Sequence, residues 1–412
     1  MIDRIVIIND YIVPRGGATI LARLAANQYR AAGLAVTYIS GEGGDPELEA
    51  AGVTCIGLGQ KGLMASGKLT AFRQGLHNAK AVELLDEWIT ANDTPRTAYH
   101  LHNWAQILSP AIFSPLERVA SRTIVSCHDL FNVCPNGALY HYSHAKICKR
   151  KAMGPSCWMA QCDRRGPVSK YWRMIRHQNL LRKADFSNSK MTFVNLHENM
   201  ASQMRRAGFK APLFKTLRNP ATAYTNTPVK PAGNQAYLFI GRDDLIKGYD
   251  IALEATARAN QPIIMAGSYE NVDELGARYP HADFVGYCNR EDLARHAKSA
   301  RAVLVPSRLA EPFGLVVAEA ALSGVPILLS NTCTLAAEVE AAGAGQMFDP
   351  NDIEGLAKQL SDLAADDQRI SDMGAAALAI GERICVTSQA WANTFIEMFE
   401  EKLQMAEGPQ IA

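Results

Sequence analysis

The chain has 412 residues, more than one hydrophobic core serves, so two domains of about 200 residues each are expected. Hydrophobic residues make up 48% and charged residues 20%, the mix of an ordinary globular protein. The net charge is +1 and neither terminus carries a basic run, which argues against nucleic acid as a partner.

The first apolar run, Ile5 to Ile8, is closed by Asp10 and is too short for a signal peptide or a spanning helix. It reads as a buried parallel strand over Arg4–Ile8. An amphipathic helix over Ala18–Ala32 follows and ends at Gly33. Further strands are expected at Ala35–Ile39, Thr97–Leu101, Thr123–Cys127, Asp185–Asn188 and Leu213–Leu217. Strands alternating with helices imply a parallel sheet covered by helices. No other stretch approaches 18 uncharged apolar residues, so the expected location is the cytoplasm, with peripheral contact at the inner membrane face left open.

Between these strands lies a segment from Cys134 to Cys162 that holds Cys134, Cys148, Cys157 and Cys162. Four cysteines so close in a chain without an export signal suggest a structural zinc. Their spacing lacks a tight CxxC pair, and reduced buried thiols are the competing reading. The same insert, residues 130–183, is basic. From Lys146 to Lys183 there are 11 Lys and Arg residues and one acid, Asp163. With Trp158, Tyr171 and Trp172 interleaved, this stretch suits anionic lipid head groups or a lipid-diphosphate acceptor. A solvated basic face is the alternative.

Pro220–Gly233 has few apolar anchors and reads as a linker. Beyond it the pattern restarts, with strands expected at Ala236–Ile240, Pro262–Ala266, Asp283–Val285, Ala302–Val305 and Pro326–Leu329. Two motifs stand out there. Gly241-Arg242 ends the first of these strands, and Lys247-Gly248 follows. Two cations at the carboxyl end of a strand can neutralise a leaving diphosphate. The second motif runs from Pro306 to Ala320 and contains Glu311, Pro312, Phe313, Gly314, Leu315 and Glu319. Pro312 suits the first turn of a helix running to about Ser323, whose first amides form an anion site. Glu319 lies in so apolar a helix that it needs a partner. Gly324 is expected as a left-handed cap.

These residues resemble glycosyltransferase family 4, the retaining glycosyltransferases of the GT-B fold. The resemblance rests on Gly241-Arg242 with Lys247-Gly248, and on Glu311 and Glu319 at Glu-x7-Glu spacing. In the first half it is looser: Gly16-Gly17 after the first strand, His128-Asp129 after an apolar strand, and Arg218-Asn219-Pro220. It implies two Rossmann-like α/β domains facing each other across a cleft, with residues 1–222 as the acceptor side and 223–387 as the nucleotide-sugar side. Residues 388–412 would cross back as a helix to the first domain.

The resemblance also implies roles. Arg242 and Lys247 bind the donor diphosphate, and Glu319 holds the ribose. Glu311 contacts the donor sugar, and the amides of Phe313, Gly314 and Leu315 cradle sugar and phosphate. His128 reaches the donor sugar, Gly17 approaches the phosphates, and Tyr287 lies beside the base. The implied reaction moves a sugar from a UDP- or GDP-sugar to a glycan or lipid-linked acceptor, with retention and without a catalytic metal. Asp243-Asp244, where an apolar residue is usual in the family, reads as a solvated pair. Competing readings are an epimerase or phosphorylase on the same architecture, or a sugar-nucleotide binder that turns nothing over. A dinucleotide oxidoreductase is weaker, because no GxGxxG follows a strand.

Overall fold

The computed structural model describes residues 1–407. The chain divides into two compact units. The first comprises Met1–His144, Cys148–Leu217 and the C-terminal segment from Ser388, of which residues 408–412 lie outside the described residues. The second comprises Arg218–Thr387 together with the short stretch Ala145–Ile147.

The first unit is built on a seven-stranded sheet. In spatial order its strands are Thr54–Gly57, Ala35–Ser40, Arg4–Asn9, Thr97–Leu101, Thr123–Ser126, Thr192–Asn195 and Phe214–Thr216. All neighbours pair in parallel. Ile5, Val6, Ile7 and Ile8 are fully buried, because a parallel sheet is covered on both faces. The helix Gly17–Ala31 buries Leu21, Ala22, Ala25, Ala26 and Tyr29. The C-terminal helix Ser388–Glu407 packs on it and on the turn Ala120–Arg122.

The second unit has six parallel strands in the order Ala282–Gly286, Ile263–Ala266, Ala236–Ile240, Ala300–Val305, Ile327–Ser330 and Gly345–Phe348. In chain order this is 3-2-1-4-5-6, the doubly wound Rossmann arrangement. Its first and fourth strands are neighbours, so the strand order reverses between Ile240 and Val305. Ligands of open α/β sheets bind outside the carboxyl ends at such a reversal. Both motifs of the second half leave the sheet there.

Three local readings differ from expectation. Asp185–Asn188 is a turn and not a strand. The Asp185 carboxylate accepts from the Ser187 amide at 3.1 Å and from the Asn188 side chain at 2.6 Å. That local capping competes with a sheet ladder. The helix after Pro312 begins only at Leu315, with Gly314 left-handed at φ 93° as its N-cap. Pro220–Gly233 is not a free linker. The Tyr224 amide donates to Ser323 Oγ at 2.7 Å, the Val229 amide to the Ser323 carbonyl at 2.8 Å, and the Tyr224 side chain is buried.

Candidate functional site

In the second unit the site grows from the loop after Ala236–Ile240. Asp244 caps the single turn Leu245–Lys247 by accepting from the Ile246 amide. Gly248 then reverses the chain at φ 75°, where a Cβ would lie 1.9 Å from the Pro306 carbonyl oxygen. Only glycine fits, in conformation and in space. This close approach ties the two motif loops together. Arg308 adds a bidentate pair to Asp250 at 2.6 and 2.7 Å and donates its amide to the Ile246 carbonyl at 2.8 Å.

Lys247 and Glu311 meet directly, Nζ to Oε1 at 2.6 Å, and Ser307 Oγ donates to the same carboxylate oxygen at 2.5 Å. Burial would push the Glu311 carboxyl up, but the Lys247 ammonium and the Ser307 hydroxyl hold it below the usual range. The Thr334 hydroxyl donates to the Glu311 carbonyl and fixes the loop from the far side. Arg242 is exposed and forms no ion pair with the described residues, so its charge is free for a ligand. The amide end of Leu315–Leu322 has no side-chain cap. One free cation, one cation held on a carboxylate and an uncapped helix N-terminus make a place for a polyanion.

Glu319 has the partners its apolar helix demands. The Arg290 guanidinium reaches it at 3.2 Å, and the Tyr224 hydroxyl, which donates to the Val316 carbonyl at 3.4 Å, lies close enough to lower its pKa. Desolvation still pushes its carboxyl above the usual value against both of these groups. Arg290 also donates to the carbonyls of Thr222 and Ala223 at 2.7 and 2.6 Å. Sequence reasoning missed Arg290 and Tyr224. Arg290 opens a helix behind an Asn289 capping box, and nothing in that local pattern points 29 residues ahead. Tyr287 stands at the end of the edge strand with 83% of its surface exposed.

In the first unit, His128 follows the strand Thr123–Ser126. Its Nε2 is 2.9 Å from His102 Nδ1, at the end of the neighbouring strand, and the rings stack at 15°. Burial lowers the His128 pKa to about 4, and that of His102 well below normal, so both rings are neutral near pH 7. The outer nitrogens, His128 Nδ1 and His102 Nε2, are buried without a protein partner. His100 lies beside them, bonded to Tyr29 and Ser126 at 2.9 Å each. Gly17 is the first residue of its helix. The N-cap Gly16 is extended with no side-chain cap, and a Cβ there would meet nothing within 4 Å.

The structure does not gather the cysteines expected to hold a zinc ion into a ligand set. Among the described residues no three His, Cys, Asp or Glu side chains stand together as metal ligands. The positive charge at these thiols comes from Lys170, 1% exposed, whose ammonium donates to Cys162 Sγ at 3.3 Å and Cys157 Sγ at 3.7 Å. The Cys134 thiol donates to Asn136 Oδ1 at 3.1 Å, and burial pushes its pKa up to about 11. All four cysteines, Cys148 included, are free.

Comparison with known proteins bears on the fold. Over 97% of its length the chain superposes on sucrose-phosphate synthase from Thermosynechococcus elongatus, covering 98% of that chain with a TM-score of 0.72 at 19% identity. HepE of Anabaena, solved in complex with UDP-glucose, superposes with a TM-score of 0.65 at 15% identity, covering 97% of this chain and 99% of that one. The fold is therefore GT-B, two Rossmann-like units in one chain. Residues 223–379, within the second unit, match the family Glycosyl transferases group 1. O-antigen chain mannosyltransferase B of Escherichia coli is 32% identical over 130 residues, 30% of this chain and 33% of that protein. D-inositol 3-phosphate glycosyltransferase of Streptomyces scabiei is 30% identical over 165 residues, 35% of this chain and 37% of that protein. These alignments span about a third of the relatives' length, and the homology they establish is to glycosyltransferases.

Proposed function

We propose that the protein is a retaining glycosyltransferase that moves a sugar from a nucleotide-sugar donor to a glycan or lipid-linked acceptor. The observation that carries this reading is the cluster at the strand reversal of the second unit: Arg242 unpaired, Lys247 on Glu311, and the uncapped helix end behind Gly314. As the bond between sugar and diphosphate stretches, negative charge grows on the phosphates, and Arg242, Lys247 and the amides of Phe313, Gly314 and Leu315 stabilise it. The phosphate takes Lys247 from Glu311, which releases that carboxylate to accept from hydroxyls of the donor sugar. Glu319, held by Arg290, accepts from the ribose hydroxyls.

The roles proposed for the remaining residues are His128 to the donor sugar through its unpartnered Nδ1, Gly17 to the phosphates and Tyr287 beside the base. No carboxylate is assigned as a nucleophile. Retention then proceeds by front-side attack, the departing phosphate accepting the acceptor's proton, and no catalytic metal is needed. The solved complexes of HepE with UDP and UDP-glucose make a uridine donor the first to test, with GDP-sugars next. Assembly of cell-surface polysaccharide or glycolipid fits such an enzyme, working at the inner membrane face by peripheral contact. No helix among the described residues is long and apolar enough to cross a membrane.

The reading is tested with Arg242→Ala and Glu319→Ala. Each is expected to lower kcat/KM on the order of 10²-fold, the loss of a charge-assisted contact, while the fold is kept. Wild-type rates in either folded variant would remove the donor-site assignment. NMR of the product's anomeric proton checks retention, and an inverted product sinks it. Conversion of the donor without any acceptor would favour the epimerase alternative.

A further inference from the structure

Large apolar side chains are exposed unevenly over the first unit. The helix Lys68–Leu76 exposes Leu69 and Phe72, and Met64 lies exposed just before it. The helix Pro167–Lys183 exposes Val168, Tyr171 and Ile175. These follow one another at helical spacing and so form one outward stripe. The two helices are pinned side by side. Trp172 donates its Nε1–H to the Phe72 carbonyl at 3.1 Å, and their rings lie 6.4 Å apart. The Arg176 guanidinium donates to the Gly75 carbonyl at 2.7 Å. A Cβ on Gly75 would lie 2.4 Å from the Trp172 ring, so the glycine is what lets the helices close. On the other flank Trp158 stacks with Tyr171 at 6.5 Å. The apolar surface therefore runs continuously from Leu69 and Phe72 across Trp172 and Tyr171 to Trp158, on the helix Lys68–Leu76 and on the two consecutive helices Pro155–Met159 and Pro167–Lys183.

The charge around it has one sign. Between Ala50 and Val82 there is no acidic residue and there are four basic ones; between Lys146 and Lys183 there are 11 basic residues and one acid. That acid, Asp163, is buried and paired with Arg173 at 2.9 Å, and Lys170 and Arg176 are buried as well, so the segment's outward charge comes from the other eight cations with no acid among them. The remainder of the chain holds 27 basic and 40 acidic residues, since the totals are 42 and 41. A nearly neutral protein is thus strongly polarised, and its cations are concentrated in the two segments that expose the aromatic and aliphatic side chains. Lys68, Arg73, Arg165 and Arg182 are exposed on or beside the same helices.

We propose that this face is the surface by which the protein lies on an anionic lipid bilayer, with Phe72, Leu69, Val168, Tyr171 and Ile175 in the interfacial layer and the surrounding cations on the head groups. This rests on the peripheral contact proposed above and gives it an address. An apolar stripe rimmed by cations is the pattern that takes a helix into the head-group boundary. An acidic protein partner would match the charge but leaves unexplained why the centre is apolar and aromatic.

The full chain is mixed with vesicles of phosphatidylcholine alone, or of three parts phosphatidylcholine to one part phosphatidylglycerol, and floated on a density gradient. The wild type is expected to float with the anionic vesicles only, and less so as salt is raised. The double variant Phe72→Ser, Ile175→Ser is expected to lose about tenfold in the bound-to-free ratio, a modest price for two apolar side chains. Because both positions are exposed and outside the donor site, the variant is expected to keep wild-type donor turnover in solution. Floating as well as the wild type would overturn this face and leave peripheral contact standing. Failure of the wild type to bind anionic vesicles would overturn both. Concentration-dependent dimers, abolished in the variant and without vesicle binding, would assign the face to a second copy and overturn the proposal too.

Discussion

His102 and His128 share one hydrogen bond, Nδ1 to Nε2 at 2.9 Å, and two neutral imidazoles can make it in only one direction at a time. If His102 donates, His128 carries its proton on Nδ1 and presents a donor there. If His128 donates, its Nδ1 is an acceptor. Whatever group meets the buried Nδ1 therefore sets the tautomer of both rings. On the role proposed for His128, His102 is its positioning residue. The variant His102→Phe is expected to lower kcat by 10- to 100-fold, the usual size of a lost orienting contact, with KM for the donor changed less. His102→Asn, which can restore the bond, is expected to recover part of the loss. Steady-state kinetics measure this, and unchanged kcat in folded His102→Phe would remove the coupling.

At the scale of elements, the C-terminal helix Ser388–Glu407 carries much of the first unit's packing. Trp391, Phe395 and Phe399 are buried, and the Phe395 ring centre lies 4.4 Å from that of His100. Lys402 is buried too, donating to the Lys190 carbonyl and Thr192 Oγ1, and burial lowers its pKa to about 8. Phe395→Ala is expected to destabilise the first unit by about 3–5 kcal/mol, the cost of emptying an aromatic site in a core. A chain ending at Thr387 is expected to lose more. Denaturant unfolding followed by tryptophan fluorescence reads both, and a change under 1 kcal/mol in Phe395→Ala would contradict this role.

Elements with strong patterns were legible in the sequence. The central strands are unbroken apolar runs closed by polar residues, as at Arg4–Asn9 and Ala236–Ile240. The edge strands Thr54–Gly57 and Gly345–Phe348 went unread, because short strands half covered by neighbours carry no such run. Gly241-Arg242, Lys247-Gly248 and the stretch from Glu311 to Glu319 were legible as motifs. The pairing of Lys247 with Glu311 was not, since it depends on loops brought together by the close approach of Gly248 to Pro306 and by the bonds of Arg308 to Ile246 and Asp250. The second carboxylate's partners, Arg290 and Tyr224, come from distant loops, one of them in a segment whose composition reads as a linker.

For the whole molecule, buried histidines set the response to acid. His128 and His177 have pKa values lowered to about 4, and those of His100 and His102 lie well below normal, all chiefly through burial. In the unfolded chain each titrates near 6.5. Below that pH the unfolded state binds protons that the folded state refuses, so stability falls from about pH 6.5 down to about pH 4. Asp129, raised to about 6, and Asp10, also raised, act in the opposite sense, Asp129 from about pH 6 downward, two groups against four. Urea unfolding at pH 7, 6, 5 and 4 is expected to show a steady drop in stability of the first unit, which holds all six groups. Constant stability over that range would contradict the neutral, buried state of these imidazoles.

The central claim is that the second unit binds a nucleotide sugar and the protein transfers its sugar. The most direct measurement is thermal unfolding of the wild type with UDP-, GDP- and ADP-sugars in turn, paired with detection of the released nucleoside diphosphate. A ligand that binds only the folded state at about 100 times its Kd adds about 2.7 kcal/mol of stability, a readily visible shift. One donor class is expected to raise the unfolding temperature and to release its diphosphate when acceptor is supplied, and the Arg242→Ala, Lys247→Ala double variant is expected to do neither. If no nucleotide sugar stabilises the wild-type protein and none is consumed, the account is contradicted.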